Sequence, residues 1–505
     1  MSLLGIDAGT TGCKAAVFSE TGQQLAIAYR EYDICHPQPG WDELDAVEVW
    51  AAIKQAIGRA VALSSADPIR ALAVSSMGEA MTPVTADRRI LGPSLLLSDS
   101  RGAEYLPRLR RELADERLYA VNGNTLGNHY SLTKLMWIRD HQPELYAAAD
   151  RFLLWGSLIG FMLGAEPVAD YSLANRTLLF DLARQDWSHE LMAWGGIEAG
   201  KLPITAPSGA VIGQVSRQAA EELGLPAGIP IVAGAHDQCA NAVGCGVIEE
   251  GLAVYGMGTF ICITPVFTER RPPDVMLPRG LNTEHHAAAG RYVSFIYNQG
   301  GILVKWFRDA FAPTEHRRAQ AAGRDVYEEL FAELPGGPSG LMVLPHFTAT
   351  GTPEFVSDTC GVIAGLRLET RRGAILKGIL EGTTFYLKAC VETLPAASIA
   401  IQEYLPTGGG SKSDAWIQLC ADILGQPFVR PAVTEAGALG AAIIAGVGAG
   451  IFPSFQAGVE AMVRLERRFE PDAGQQRLYD AWFERYRSLW PLMREYLRAL
   501  ASAVQ

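Results

Sequence analysis

Three acidic residues stand where an apolar run of the sequence gives way to a polar turn. Asp7 ends the run that precedes AGTTG, Glu79 follows the run 69–75, and Asp237 follows the run 229–233 within AGAHDQ. An Asp in the third setting could accept the proton of an attacking hydroxyl, a role that typically contributes about 10²–10⁴ in rate. A carboxylate beside a Gly/Thr turn could hold hydrated magnesium, because this hard cation prefers oxygen ligands. These residues are the candidates for acid–base and metal chemistry.

The polar neighbours of these acids leave several interpretations open. Open α/β sheets place ligands at the carboxyl ends of their strands, so Glu79 is a candidate for gripping substrate hydroxyls, or else a solvated loop acid. His236 is interpreted as a hydrogen-bonded neighbour, because polar groups between a buried strand and a buried helix are costly unless they interact. Asp99 and Arg101, at the end of the run 95–101, either face the cleft or pair with each other.

Two Gly/Thr turns between apolar runs predict two β-hairpins, over 5–18 (GIDAGTTGCKAAVF) and 251–264 (GLAVYGMGTFICIT). Glycine amides and the hydroxyls of Thr10 and Thr11 could donate to a phosphate, because glycine allows close backbone approach. The alternative for one such segment is an ordinary tight turn. Neither segment is a Walker A loop, which needs GxxxxGK[ST] before a helix. Two copies favour two related domains that offer phosphate loops to a shared cleft.

The surrounding sequence alternates strand and helix patterns, which is typical of an α/β fold. The run 45–61 has helical periodicity and capping-box spacing, and 69–75 is a candidate buried strand. Three glycines follow the strand candidate 401–405 and stand directly before an amphipathic helix, where bare amides and the helix dipole suit a nucleotide. Further helices are predicted over 372–394, 436–452 and 476–500.

Bulk properties narrow the class of protein. A chain of 505 residues, 49% hydrophobic and 19% charged, predicts at least two domains with large cores. A net charge of -12 argues against nucleic acid as the main partner, because phosphate contacts need clustered Lys and Arg. The eight cysteines have no CxxC spacing, so neither a zinc site nor a disulfide framework is indicated. Without a leader pattern or an apolar run of membrane length, we expect a cytoplasmic protein with no membrane partner.

Taken in order, these motifs resemble the FGGY family of carbohydrate kinases over essentially the whole chain. The residues that carry the resemblance are GIDAGTTGCK, AGAHDQ, YGMGTF, GGGSKSDAWIQLCAD and EAGALGAA, with 131–141 and 361–381 similar to the two family signatures. The resemblance implies two ribonuclease-H-like domains of the actin/sugar-kinase superfamily that flank a nucleotide and substrate cleft. It places a sugar-binding domain at 1–245 and a nucleotide-binding domain at 246–505.

The resemblance also implies roles for individual residues, with ATP and Mg²⁺ as cofactors. Asp237 matches the catalytic base, and Asp7 and Asp237 match the carboxylates near the metal. Positions matching the phosphate and nucleotide contacts are Thr10, Thr11, Lys14, Gly258, Thr259, Gly301, Gly409, Gly410 and Asp414. Positions matching the substrate contacts are Met77, Gly78, Glu79, His129, Asp237 and Gln238.

Departures from the family pattern bear on the acceptor. Glycerol-specific members carry Arg and Tyr where this chain has Gly78 and His129, which disfavours glycerol, and SMGEA differs from the QMHG typical for xylulose. We expect a small-molecule acceptor, a ketopentose by preference, with gluconate, ribulose, erythritol and glycerol as alternatives. The resemblance allows a homodimer. An actin-like or chaperone-like ATPase and a catalytically silent sugar sensor are the competing classes.

Overall fold

The computed structural model of the protein describes residues 1–64 and 67–504, so residue 505, the end of the expected second domain, lies outside the described part. The strands are β1 Ser2–Ala8, β2 Gly12–Ser19, β3 Gln24–Glu31, β4 Glu43–Leu44, β5 Ile69–Ser76, β6 Met81–Val84, β7 Ser94–Leu95, β8 Arg151–Leu154, β9 Val168–Asp170, β10 Phe180–Asp181, β11 Asp186–Trp187, β12 Ile204–Ala206, β13 Val211–Gln214, β14 Pro230–His236, β15 Gly251–Met257, β16 Phe260–Phe267, β17 Glu284–His285, β18 Tyr292–Val293, β19 Ile296–Gln299, β20 Met342–Leu344, β21 Val362–Ala364, β22 Ile401–Thr407, β23 Phe428–Pro431 and β24 Leu465–Phe469.

The helices are α1 Ala46–Leu63, α2 Leu106–Glu112, α3 Asp115–Asn122, α4 Ser131–His141, α5 Pro143–Ala148, α6 Trp155–Leu163, α7 Tyr171–Asn175, α8 His189–Gly195, α9 Arg217–Leu223, α10 Asp237–Cys245, α11 Pro273–Met276, α12 Gly301–Phe311, α13 Pro313–Ala321, α14 Val326–Phe331, α15 Arg372–Val391, α16 Asp414–Leu424, α17 Ala436–Gly448, α18 Phe455–Met462 and α19 Ala473–Val504. Over the part of the chain described here, no helix combines the length and the apolar character needed to cross a membrane.

The first sheet has the strand order β13-β14-β5-β1-β2-β3. β1 and β2 form the predicted antiparallel hairpin, while β1, β5 and β14 run parallel to one another. Helix α1 begins after Asp45, whose side chain accepts from the Val47 and Glu48 amides and so caps the predicted helix. Its buried face packs on the hairpin. The parallel strands therefore end at one edge of this sheet.

The second sheet repeats this plan, with the order β17-β18-β16-β15-β22-β23-β24 and β19 paired with β16. β15 and β16 form the second predicted hairpin, and β22 lies parallel to β15 on its other side. The two sheets thus present their hairpins in the same way, which confirms the prediction of two related α/β units.

Helices α10 and α17 cross between the two sheets at a distance that only glycine permits. A Cβ on Gly244 would lie 1.9 Å from the carbonyl oxygen of Ala436, and a Cβ on Gly440 would lie 1.9 Å from that of Ala240. Both positions would overlap backbone atoms, so side chains are excluded there. The crossing fixes the starts of both helices at the cleft.

Two predicted helix starts are wrong. α10 begins at Asp237 itself, because β14 continues as far as His236 and the helix follows without a loop. The glycines at 408–410 do not stand directly before α16, since a 3-10 turn, Gly409–Lys412, and the N-cap residue Ser413 separate them from the helix. In both places the change in backbone conformation is not marked by the spacing of apolar residues in the sequence.

Candidate active site

The three parallel strands of the first sheet bring the three candidate acids to one edge. Asp7 is paired in register with Ser75, and Ser76 is paired with both Ala8 and His236. Asp237 follows immediately after β14, and Glu79 stands three residues beyond the end of β5. Residues far apart in sequence are thereby placed side by side at the carboxyl ends of neighbouring strands.

Asp237 is the first residue of α10, where the helix dipole favours a negative charge. Its pKa is nevertheless raised to about 7, mainly because the surrounding protein desolvates it, and further by the negative charges of Asp7 and Glu79. Hydrogen bonds from the backbone and side chain of Gln238 lower the pKa of Asp237 and so oppose this rise. The carboxyl therefore changes its charge near neutral pH, as suits a general base.

His236 stands beside this carboxyl at the end of β14. Its Nε2 atom lies 3.2 Å from Asp237 Oδ1. Burial, and then the positive charge of Arg176, hold the pKa of His236 well below its usual range. The ring is therefore neutral and lies next to the base, but it is only partly satisfied, because its Nδ1 is buried without a partner among the described residues.

Asp7 is fixed in place near the end of β1, close to the start of α17. Its Oδ1 accepts a hydrogen bond of 2.7 Å from the Ser75 hydroxyl, and Gly437 opens the space in front of it, because a Cβ there would lie 2.9 Å from Asp7 Oδ2. Desolvation raises the pKa of Asp7. Among residues 1–64 and 67–504, no group of three or more His, Cys, Asp or Glu side chains is arranged to hold a metal. The carboxylate oxygens of Asp7 would therefore suit a cation that takes most of its ligands from phosphate and water.

Glu79 is not a solvated loop acid, since it is only 5% exposed. Its φ of 55° lies in the left-handed region, which costs about 1–3 kcal/mol for a residue with a side chain. The Ser131 hydroxyl donates to its carbonyl at 2.5 Å, and Arg176 Nε donates to its Oε1 at 2.7 Å. Hydrogen bonds thus hold both the backbone and the side chain of Glu79, so its strained backbone conformation is fixed.

Arg176 joins Glu79 to Glu284, which begins β17 of the second sheet. Burial alone would lower the pKa of Arg176, but the carboxylates of Glu284 and Glu79 outweigh it and raise that pKa well above its usual value. The arginine lies against Gly78, where a Cβ would come 3.0 Å from Arg176 Cγ. Sequence reasoning missed both Arg176 and Glu284.

The other expected substrate residues surround this cluster. Met77 is buried and its amide donates to the Ala8 carbonyl at 2.9 Å. The His129 ring centroid lies 4.0 Å from that of Tyr130, and burial, with the charges of Arg176 and Lys134, lowers the His129 pKa to about 3. His129 therefore offers a neutral ring to the site.

A small cavity of about 260 Å³ is bounded by both hairpins, and of the three acids Asp7 lines it. Its lining includes Asp7, Lys14, Gln238 and Gly258, all predicted, and also Asn241 and Glu435. Lys14 Nζ lies 2.5 Å from Glu435 Oε2, a partner that sequence reasoning did not assign. The cavity has the size and the donors for phosphate groups.

A larger cavity of about 950 Å³ shares Met257 and Gly258 with the small one. Six expected nucleotide contacts line it, namely Gly258, Thr259, Gly301, Gly409, Gly410 and Asp414. The amide of Gly301 donates to the Gly258 carbonyl at 2.9 Å and that of Ile302 to the Thr259 carbonyl at 3.0 Å. The hairpin tip is thus tied to the start of α12.

Some expected contacts are engaged elsewhere or lie apart. Asp414 lines the large cavity, but its carboxylate pairs with Arg430 at 2.7 Å and with Arg467. Thr10 and Thr11 stand at the tip of the first hairpin and line neither cavity, with Thr11 exposed.

Asp99 and Arg101 were expected either to face the cleft or to pair with each other, and the structure shows that they pair. Arg101 Nη2 lies 2.6 Å from Asp99 Oδ2 and also from Glu43 Oε2, and the pair is buried. The strand predicted before them is reduced to β7, since the Asp99 amide donates back to the Leu96 carbonyl in a turn. This pair is structural.

The site residues that the sequence analysis did not identify differ in whether the sequence carried a recognisable signal for them. Glu435 stands in EAGALGAA, a segment that carried the resemblance, and its acidic side chain before a buried helix was a usable cue. Arg176, within ANRTLLFD, has no local pattern that distinguishes it from a surface arginine.

Comparison with known proteins places the chain in a family. The model of the FGGY family of carbohydrate kinases, N-terminal domain, matches residues 2–244, and that of the C-terminal domain matches residues 253–449. The crystal structure of xylulose kinase from Rhodospirillum rubrum superposes with a TM-score of 0.88 at 27% identity, covering 98% of this chain and 100% of that one.

Two relatives cover nearly the same length. Xylulose kinase of Bacillus subtilis (strain 168) is 26% identical over 99% of both chains. Autoinducer-2 kinase of Yersinia pseudotuberculosis serotype O:3 (strain YPIII) is 30% identical over 95% of this chain and 92% of its own. With two family models that together match most of its length, and with the two-domain fold of sugar kinases around one cleft, this chain is a phosphotransferase and belongs to the FGGY family of carbohydrate kinases.

Proposed function

We propose that this kinase transfers the γ-phosphoryl group of ATP to a primary hydroxyl of a ketopentose, with xylulose as the first acceptor to test. The observation that carries the proposal is the convergence of Asp7, Glu79 and Asp237 at one sheet edge, where Asp7 and Gln238 line the small cavity between the hairpins. The relatives named for xylulose support the acceptor class.

In this proposal Asp237 is the catalytic base. Its carboxylate accepts the proton of the acceptor hydroxyl as the oxygen attacks the γ-phosphorus and the bond to the β-phosphate oxygen breaks. Glu79 accepts hydrogen bonds from acceptor hydroxyls, and Met77, Gly78, His129 and Gln238 complete the contacts. Positioning and charge neutralisation supply most of the rate, since little covalent chemistry is left to the protein.

The nucleotide belongs in the large cavity, with its phosphates directed into the small one. Gly258, Thr259 and Lys14 then contact the phosphates, while Gly301, Gly409, Gly410 and Asp414 line the nucleoside end. Thr10 and Thr11 reach the phosphates only if the cleft closes further, and closure would also exclude water. We propose the domain boundary at 245/246, between α10 and β15.

Magnesium fits the same edge. Asp7 and Asp237 would hold the ion, which when bound neutralises phosphate charge and orients the transferred group. The negative charge of Asp7 raises the pKa of Asp237, so a divalent cation between the two carboxylates would relieve their repulsion.

Autoinducer-2 is the second candidate acceptor. The observation that favours it is the relative named autoinducer-2 kinase, whose identity of 30% exceeds the 26% and 27% of the two xylulose kinases described above. It belongs in the same assay, because the proposed base and phosphate cavities would serve both acceptors.

The test measures ADP release from MgATP against ketopentoses, polyols, gluconate, dihydroxyacetone-type sugars and autoinducer-2. Asp237→Asn is expected to abolish acceptor-stimulated turnover while ATP binding persists. Asp115→Asn is the matched control, because Asp115 is likewise the first residue of a helix, α3, but is exposed. Full turnover in Asp237→Asn would refute the base, and stimulation by autoinducer-2 alone would replace the ketopentose.

A further inference from the structure

Arg176 lies in a buried acidic cluster, which we define as Glu79, Arg176, Asp237 and Glu284. The side chains of Arg176, Glu79 and Glu284 are 12%, 6% and 0% exposed. Glu79 and Asp237 follow strands of the first sheet, and Glu284 begins a strand of the second. The cluster therefore joins the two sides of the cleft at the place proposed for the acceptor.

Each nitrogen of the Arg176 guanidinium donates to a carboxylate, which engages three of its five N–H groups. Its Nε and Nη2 donate to Glu79 Oε1, and its Nη1 donates to Glu284 Oε1. All three nitrogens are thus directed at carboxylates. Two carboxylates face one guanidinium, so the cluster has a net negative charge even before Asp237 ionises.

Surrounding side chains fix the arginine in this position. Its Cζ lies 5.0 Å from the centroid of the Tyr130 ring and 5.8 Å from that of Phe295. Gly78 leaves the space through which the stem passes, and Asn282 Nδ2 donates to Glu284 Oε1 at 2.7 Å. Glu284 Oε2 is buried and has no partner among the described residues. The cluster thus keeps an uncompensated acceptor of hydrogen bonds.

We propose that Arg176 sets the class of acceptor: by bridging Glu79 and Glu284 it holds two carboxylates at a negatively charged site that admits an uncharged sugar or polyol and rejects a sugar acid. This inference rests on the proposed function, in that the acceptor lies against Glu79 and Asp237. A carboxylate on the acceptor would meet the charge of the cluster, and the Arg176 guanidinium is already engaged by two carboxylates. At roughly 6–8 Å in a protein-like dielectric, one unit charge changes affinity by at least about tenfold.

The experiment compares gluconate with glucitol, which has the same carbon count but a hydroxymethyl group in place of the carboxylate. Both are measured as competitive inhibitors of turnover of the best uncharged acceptor. In the wild-type enzyme the inhibition constant of gluconate should exceed that of glucitol by at least about tenfold. Glu284→Gln removes one negative charge and should narrow this ratio by a similar factor.

Two variants separate charge from structure. Glu190→Gln is the matched control, because it removes a carboxylate from an exposed arginine pair, Arg117–Glu190, and should leave the ratio unchanged. Arg176→Lys keeps the charge but not the bridging geometry. It should raise KM for the acceptor at least about tenfold, leave KM for ATP as it was, and preserve the ratio.

Each result of these measurements either supports or overturns the inference about Arg176. A wild-type ratio near one, or gluconate as the best acceptor, overturns the inference without needing any variant, while phosphoryl transfer itself stands. An unchanged ratio in a folded Glu284→Gln enzyme also overturns it. If the best acceptor is uncharged but not a ketopentose, the proposed function fails and the inference holds.

Discussion

His236 Nε2 lies 3.2 Å from Asp237 Oδ1, and the other ring nitrogen, Nδ1, is buried without a partner among the described residues. The His236 ring therefore stands beside the carboxylate of the base. Because the pKa of His236 is well below its usual range, the ring does not titrate where the base does. A change in rate near neutral pH can then be attributed to the carboxyl groups.

The first prediction concerns the pH dependence of the reaction. Asp237 must be ionised to accept a proton, and its pKa is raised to about 7 by desolvation and by Asp7 and Glu79. We expect kcat/KM for the acceptor to rise tenfold per pH unit below about pH 7 and to level off above it. The check is a pH–rate profile from pH 5 to 9, with thermal melts at each pH to exclude unfolding. A flat profile between pH 5 and 8 would contradict the role of Asp237.

The second prediction concerns stability. The folded-state pKa of Asp237, about 7, lies above its ordinary value of 3.8, so the folded state binds the extra proton and loses stability as pH rises between these values. Asp237→Asn removes the ionisable carboxyl and therefore this loss of stability. Without metal or nucleotide, the variant should melt at a higher temperature than the wild type at pH 8, and the difference should vanish near pH 4. Asp115→Asn should show no such trend, and an equal gap at both pH values would argue against a raised pKa.

The third prediction concerns Lys14, the one Lys or Arg among the described residues that line the small cavity. Lys14→Met should raise KM for ATP and lower kcat, together by at least about tenfold in kcat/KM, because the phosphate charge loses its nearest cation. Steady-state kinetics with varied ATP tests this. Lys54→Met is the control, since Lys54 pairs with Glu222 near the surface in a similar way. Equal effects in the two variants would remove Lys14 from the phosphate site.

The fourth prediction contrasts two adjacent glycines of the large cavity. A Cβ on Gly409 meets nothing within 4 Å, whereas a Cβ on Gly410 would lie 2.7 Å from the Trp416 ring and 2.9 Å from Met257 Cβ. Gly409→Leu should fill nucleotide space and raise Kd for ATP at least about tenfold while the melting temperature holds. Gly410→Ala should lower the melting temperature as well.

Calorimetric titration with ATP and a thermal melt distinguish these two variants. If Gly409→Leu binds ATP as tightly as the wild type, the large cavity is not the nucleotide site.

Local features of the fold were predictable from the sequence alone. Both hairpins, the helix after Asp45, the strand before Glu79 and the strand before His236 follow from short-range periodicity and turn chemistry. The ordered motifs between these elements were specific enough to indicate the family. The start of α10 at Asp237 was not predictable, because β14 and α10 join without a loop and leave no breaker residue to read. The start of α16 was misplaced because Gly409 and Gly410 belong to a 3-10 turn that precedes the N-cap residue Ser413.

The pairing of charges was decided only by the tertiary structure. Lys14 pairs with Glu435, and Arg176 joins Glu79 to Glu284, across separations that no local pattern records. Burial then determines what these groups do: desolvation raises the pKa of the Asp237 carboxyl, while for Arg176 it opposes the carboxylates of Glu284 and Glu79, which raise the pKa of the guanidinium. Sequence thus determines which groups are available and on which elements they stand, whereas the packing of two sheets around one cleft decides which of them meet.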